Sequence, residues 1–335
     1  MQFVARAPGK LVVLGEYAVL DGAPALAIAV DRHCRASIGP SADTDCHLET
    51  RAPAPARISR APGEPTGVAL VDLVCAQTGG LQRIKPWRAV LDSADLFCAG
   101  DKLGLGSSAA ALCAWAGVWA AYAGAAGLSA CELDVECLVR MHRAFQRGAG
   151  SGLDVAASLT GGAIEFRLHS EARPNVSTVR LPNSVGLACI FTGSAASTPS
   201  LVAHYREWAT QVPKAADRQR QAMTTVAENG CAAARNDDAE GFLEAVSDYG
   251  RCLDALGKAM GADIVTAEHR EIETTSKQHG VAYKVSGAGG GDLGIAFSSE
   301  PDALHALRSS VRLMGYRVVD LHLDRDGLVV EERTE

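Results

Sequence analysis

Lys102-Leu103-Gly104-Leu105-Gly106-Ser107-Ser108-Ala109-Ala110 opens an alanine-rich run that continues towards Leu128. Glycines strip side chains from a turn and let main-chain N–H groups approach a ligand closely. A helix beginning at the serines adds unpaired N–H groups and the positive end of its dipole, with two hydroxyls alongside. That combination is a phosphate cradle. An ordinary capped helix is the alternative reading, because Gly-Ser-Ser also suits an N-terminus. Lys102 favours the cradle, since it places a mobile positive charge beside it for a second anion.

Two further glycine clusters flank this one in the chain. Ala7-Pro8-Gly9-Lys10-Leu11 lies near the start, followed by Gly15-Glu16-Tyr17-Ala18-Val19, and Lys284-Val285-Ser286-Gly287-Ala288-Gly289-Gly290-Gly291-Asp292 lies near the end. Familiar nucleotide-binding spacings do not fit them. The lysine at 102 precedes its loop instead of following it, so there is no G-x-x-x-x-G-K-[ST]. Gly289, Gly291 and Gly294 satisfy G-x-G-x-x-G, but a strand is expected after them where a dinucleotide fold needs a helix. This argues against a dehydrogenase.

Composition bounds the rest. At 335 residues the chain exceeds one comfortable core, and about 150 residues per domain predicts two lobes. Thirty-two basic against thirty-nine acidic side chains leave a net charge of −7. No global positive field exists to hold nucleic acid or an anionic membrane, so an anionic substrate needs a local site. The ten cysteines form no C-x-x-C pair and read as buried, reduced thiols of a cytoplasmic protein. The nine histidines show no metal-ligand spacing. The N-terminus carries no signal-peptide pattern. The apolar stretch 107–128 is built on alanine and glycine, which favours a packed core helix over a membrane span.

Along the chain, Phe3–Ala7, Leu11–Leu14 and Ala25–Val30 read as short strands, and 51–70 as a Pro/Ala-rich surface loop. Helices are expected from Ser107, capped by the two serines, and over about Ala130–Gln146, opened by a Ser129/Glu132 capping box. A short helical segment is expected at Asp154 and a strand over Ala163–Leu168. A boundary is expected near Pro182–Ser184. Beyond it come a strand over Leu187–Phe191, helices over about 200–279 with a break within Ala255–Gly261, and strands around the last glycine cluster. A helix and two strands close the chain. The outcome is an α+β protein whose lobes span 1–182 and 183–335, each a sheet with helices on one side.

Taken together, Pro8-Gly9-Lys10, Gly104-Leu105-Gly106-Ser107-Ser108-Ala109 and Gly287-Ala288-Gly289-Gly290-Gly291 resemble, in order and across nearly the whole chain, the three signatures of the GHMP kinase family. The resemblance implies an N-terminal lobe like the second domain of ribosomal protein S5, a ferredoxin-like C-terminal lobe, and ATP with Mg2+ in the cleft between them. Within the family, several stretches are similar to the branch whose acceptor is phosphomevalonate. These are Gly15-Glu16-Tyr17-Ala18-Val19-Leu20, Lys102 ahead of Gly104, His142…Gln146 with Gly150-Ser151-Gly152-Leu153-Asp154, the segment from Thr192 to Thr198, and Asp292.

The resemblance carries residue roles with it. ATP binding falls on Gly104, Leu105, Gly106, Ser107, Ser108 and Ala109, with Ser108 also the candidate magnesium ligand. Lys10 and Asp154 are the catalytic candidates, Lys10 stabilising charge in transfer and Asp154 positioning Lys10 or the substrate. Phosphomevalonate contacts fall on Lys102, Ser151, Ser197, His142, Ser286, Gly289, Gly290 and Asp292. Plainer roles stand beside these: helix capping for Asp154 and Ser197, a packed histidine at His142, and close lobe packing at the glycines. Glu16 is expected in a polar network near Lys10 or in a turn. Arg143 stands where the mevalonate-phosphorylating branch has a glutamate as second magnesium ligand. That branch, in which the aspartate would serve as base for a hydroxyl, is the alternative, and a non-catalytic ligand sensor on the same fold is another. No nucleic-acid or membrane partner is expected.

Overall fold

The computed structural model describes residues 1–79, 83–98, 100–130, 132–148, 150–169, 173–193 and 198–333. The chain starts with a long hairpin, β1 (Gln2–Leu14) against β2 (Ala25–Pro40). Where two short strands were expected, β1 runs unbroken through Pro8 and Gly9. The register steps from Pro8↔His33 to Gly9↔Val30, so a bulge on β2 absorbs the irregularity that the proline and glycine introduce. The sheet continues with β3 (Cys46–Arg51), β4 (Ala56–Arg60) and β5 (Trp87–Asp92), and with β8 (Ala163–Leu168) and β9 (Pro174–Val179) beyond the other end of β2, while β6 (Phe97–Cys98) and β7 (Asp101–Lys102) pair apart from it as a short ribbon. β4 lies inside the stretch expected as loop. It is an outer strand whose alternation is weak because nearly all of it is exposed.

Among the described residues, the α-helices of this half are α1 (Ala69–Cys75), α2 (Ser107–Ala125), α3 (Val135–Phe145) and α4 (Leu153–Thr160). α2 is buried along most of its length, with Trp115 and Trp119 stacked at 5.9 Å and Trp87 of β5 tilted against both. Among the described residues it is the helix long and apolar enough to cross a membrane, and 67% of its apolar window is buried in the protein. The two serines do not cap it. The N-cap is Gly106, in the left-handed region, and Ser107 and Ser108 are the first helical residues, which leaves their hydroxyls for other partners. α3 also starts later than expected. Asp134 caps it by accepting from the Cys137 N–H at 2.7 Å, so the Ser129/Glu132 pair is not its start.

The second half holds a four-stranded antiparallel sheet of β10 (Gly186–Phe191), β11 (Ala282–Val285), β12 (Leu293–Ser298) and β13 (Arg317–Val319), in spatial order β11-β12-β10-β13. Helices α5 (Thr198–Gln211), α6 (Pro213–Arg235), α7 (Ala239–Met260) and α8 (Ala267–Gln278) lie between β10 and β11, and α9 (Pro301–Leu313) between β12 and β13. This order and connectivity are those of a ferredoxin-like lobe. The break foreseen in 255–261 falls at its last residue: α7 continues to Met260 and stops at Gly261, φ +68°. The chain does not finish in this lobe. β14 (Val329–Arg333) returns to the first sheet and pairs antiparallel with β1, Val4 opposite Glu331. One continuous apolar cluster runs from β1 and α2 to α7, β11 and β12, so the two sheets share their core.

Candidate active site

Lys10 lies in the middle of β1, where its side chain would face solvent or core according to strand alternation alone. The glycine loop ahead of α2 decides its place. The Lys10 N–H donates to the Leu105 carbonyl at 2.9 Å, and its Nζ donates to the Gly104 carbonyl at 3.1 Å. Gly9 makes this approach possible, because a Cβ there would stand 2.9 Å from the Leu105 oxygen. Lys10 is 8% exposed. Burial pushes its ammonium below the ordinary lysine range, Asp154 pulls the other way, and Lys102 adds to the depression.

A cavity of about 630 Å³ opens over this lysine. Lys10, Lys102, Gly104, Gly106, Ser108, Ser151 and Asp154 line it, together with Ser286, Gly289 and Asp292 from the last glycine cluster. The three clusters therefore meet at one place. Leu105, Ser107 and Ala109 do not line it. Leu105 and Ala109 are fully buried, the first giving its carbonyl to Lys10 and the second bonding its N–H back to Gly106. The lining glycines leave main chain at the cavity wall, beside the start of α2, where N–H groups lack intrahelical acceptors.

His142 does not reach the cavity. It is 1% exposed and lies beneath it, Nε2 3.0 Å from Ser108 Oγ and Nδ1 3.7 Å from Asp154 Oδ1. It thus supports two lining side chains from behind. Asp154 accepts from the Val155 N–H at 3.1 Å, and Ser151 from the Leu153 N–H at 3.2 Å. Ser286 is committed to the lobe junction, donating to the Val12 carbonyl at 3.1 Å and accepting from the Val12 N–H at 3.0 Å. Gly290 gives its N–H to the Ile264 carbonyl at 2.9 Å, and a Cβ on Gly289 would be 2.3 Å from that same oxygen. These glycines draw the loop onto α7's exit, and only Gly289 also reaches the cavity. Ser197 lies outside the described residues. Arg143 donates to the Gly150 carbonyl at 2.8 Å and so anchors the chain just ahead of α4.

Some of the site was not foreseen. Arg147, with φ +54°, lines the cavity as a further cation. Its one signal was a charged residue inside a glycine-rich turn. Glu16 lines the same cavity as Lys10, within a polar network and in a turn as expected, but the partner that holds it, Lys284 of β11, was not foreseen. Lys284 Nζ donates to Glu16 Oε1 at 2.5 Å and the Gly287 N–H to the same oxygen at 3.2 Å. Burial pushes Glu16 up and Lys284 down, each against the pull of its partner. Tyr249 donates to the Glu16 main-chain oxygen at 2.7 Å, and Tyr17 to the Ala288 carbonyl at 2.5 Å. This network stitches the first hairpin to the second sheet, and its members Glu16, Tyr17, Gly287 and Ala288 line the cavity.

The donor set suits magnesium that arrives on a triphosphate. Mg2+ takes one or two protein oxygens and completes its shell with phosphates and water. Ser108 and Asp154 offer oxygens on the cavity wall, and no cluster of three His, Cys, Asp or Glu side chains exists among the described residues to hold an ion unaided.

No family model matches the chain. It is 31% identical to a phosphomevalonate kinase from a Streptomyces species, over 88% of this chain and 89% of that protein. The chain belongs to the GHMP kinase family. A mevalonate kinase of Pyrococcus furiosus is 26% identical over 99% of each chain. Among solved structures, a Streptococcus pneumoniae phosphomevalonate kinase in complex with phosphomevalonate and AMPPNP superposes with a TM-score of 0.79 at 19% identity, covering 96% of this chain and 99% of that one. The two-lobed GHMP kinase fold is thus established by sequence and by shape.

In this GHMP kinase Gly106 is the turn residue packed directly against Lys10 and Asp154. Its φ is +74°, and a Cβ would sit 3.2 Å from Lys10 Cε and 3.5 Å from Asp154 Cβ. Gly106→Ala is expected to cost about 1–2 kcal/mol in backbone strain. By displacing Lys10 it should also lower kcat by up to about a hundredfold. Denaturant unfolding alongside steady-state kinetics checks both; full activity would show that Lys10 does not depend on this turn.

Proposed function

We propose that this kinase transfers the γ-phosphoryl group of ATP to the phosphate of phosphomevalonate, yielding diphosphomevalonate and ADP in the mevalonate route to isoprenoids. An acceptor phosphate oxygen attacks the γ-phosphorus, the bond to the β–γ bridging oxygen breaks, and ADP leaves with that oxygen. The observation that supports this most is the meeting of Lys10 and Lys102 with the Gly104–Ser108 loop at one cavity. Two polyanions must approach each other, and phosphoryl transfer asks the protein for positioning and positive charge rather than covalent work. Ser108 and Asp154 would hold magnesium brought in with ATP, which would supply positive charge against the triphosphate. Lys10, fixed by the Gly104 carbonyl, donates to oxygens of the transferring group. Lys102, exposed at the cavity edge, receives the acceptor phosphate. A phosphate monoester is already nucleophilic near neutral pH, so Asp154 orients Lys10 and the metal and need not remove a proton.

A hydroxyl acceptor is the second reading, because the carboxylate of Asp154 reaches the cavity with its side chain 23% exposed and a mevalonate kinase is among the relatives. There Asp154 would take the proton from the alcohol. An ADP-release assay with each acceptor in turn separates the two. Turnover with phosphomevalonate and background with mevalonate is expected; the reverse selects the alcohol, and ATP binding without turnover on either selects a ligand sensor.

Lys102→Ala is expected to raise KM for phosphomevalonate by roughly ten- to a hundredfold, as loss of a charged hydrogen bond does, and to leave KM for ATP nearly unchanged. Initial rates with each substrate varied check it. A change confined to ATP would move Lys102 to the nucleotide.

A further inference from the structure

A second cavity, of about 930 Å³, lies where the chain crosses between the two sheets and shares no lining residue with the first. One wall comes from β8 and β9, the other from β10, α9 and β13, and both crossing segments, around 180–185 and 320–325, pass along it. More of its surface is apolar than polar, with Val179, Leu181, Val185, Leu187 and Leu321 among the contributors. Set into that surface are three arginines, Arg180, Arg308 and Arg325.

None of the three has a carboxylate partner among the described residues. Arg308 spends one nitrogen on the Leu187 carbonyl at 2.8 Å, while its Nε is buried with no hydrogen-bond partner. The opposing charge is small. Asp320 lines the cavity, and His322 is held by Asp31, its N–H and Nδ1 2.8 and 2.9 Å from the two carboxylate oxygens. Three guanidinium groups outnumber the carboxylates there, Asp320 on the lining and Asp31 behind His322, and with the apolar side chains beside them form a receptor for an anion that carries hydrocarbon. Guanidinium forks match phosphate oxygens in pairs, and an anion offsets the excess positive charge. The volume falls in the range of small-molecule sites.

We propose that this inter-sheet cavity is a second ligand site, for an organic phosphate with an aliphatic body, separate from the phosphoryl-transfer site. A ligand there touches both lobes at their two connections and so bears on how they sit against each other.

The full chain, saturated with a non-hydrolysable ATP analogue, is titrated with hexyl phosphate and read by amide chemical shifts. Perturbations are expected at 179–187 and 319–325. Hexanol, hexanoate and inorganic phosphate should each bind more weakly than hexyl phosphate. The double variant Arg180→Gln/Arg325→Gln, both positions being exposed, should weaken hexyl phosphate roughly tenfold, as loss of charged hydrogen bonds predicts, with the ATP analogue bound as before. Shifts confined to 104–108 and 151–154 would overturn the proposal. So would unchanged affinity in the double variant, or equal binding of hexanol or hexanoate.

Discussion

Lys10→Met is expected to lower kcat by roughly a hundred- to a thousandfold, the usual loss when a preorganised donor to developing charge is removed, with little change in affinity for ATP. Lys10 is held at both ends of the residue, its N–H on Leu105 and its Nζ on Gly104. That restraint means no reorganisation is needed when charge develops on the transferring group. Folding should not suffer, because burial already works against the charged form, and methionine keeps the apolar stem while removing the desolvated ammonium. Thermal unfolding of the variant at or above the wild-type temperature would therefore separate a chemical defect from a structural one. The same burial sets the pH behaviour. The protonated lysine is the working form, present below its folded pKa and lost as pH rises through it. Since that pKa is lowered, the alkaline limb of the wild-type profile should fall below the ordinary lysine range and vanish in Lys10→Met. Unchanged kcat in the variant would remove Lys10 from the chemistry.

Lys284→Met should produce the largest loss of stability, about 3–5 kcal/mol, because it strands a buried carboxylate. Glu16 is 5% exposed, and without Lys284 its carboxylate keeps main-chain N–H groups, that of Gly287 among them, but no cation, while Oε2 has no partner among the described residues. The double variant Glu16→Gln/Lys284→Met removes both charges and is expected to regain more than half of the loss. Chemical denaturation of the wild type, the single and the double variant measures the coupling directly. A loss below about 1 kcal/mol in the single variant, as for an exposed pair, would mean that water reaches Glu16 and that the pair does not join the lobes.

Much of the site could be read from the chain because its recognisable parts are contiguous. Gly104–Ser108 forms a loop before a helix for reasons contained within a few residues, and β8 occupies the span its alternation predicts, Ala163–Leu168. Local signals failed where two local solutions compete. Ser129 and Asp134 are both suitable caps for α3, and the sequence alone does not choose between them. They failed more completely for long-range pairs. Glu16 and Lys284 are separated by most of the chain, as are β1 and β14, and nothing in the neighbourhood of either partner marks the other.

The amino-acid sequence by itself determined the kinase family, the α+β class and the three glycine-rich turns, because backbone conformation at glycine and helix initiation are set within a few residues. Only the tertiary structure decided that Lys10, Lys102 and Asp154 share a cavity, that His142 works from beneath it and Ser286 from the lobe junction, and that Lys284 answers Glu16. Those relations depend on the β2 bulge, on the close approach permitted by Gly9 and on the packing of one sheet against another, which are properties of the folded whole.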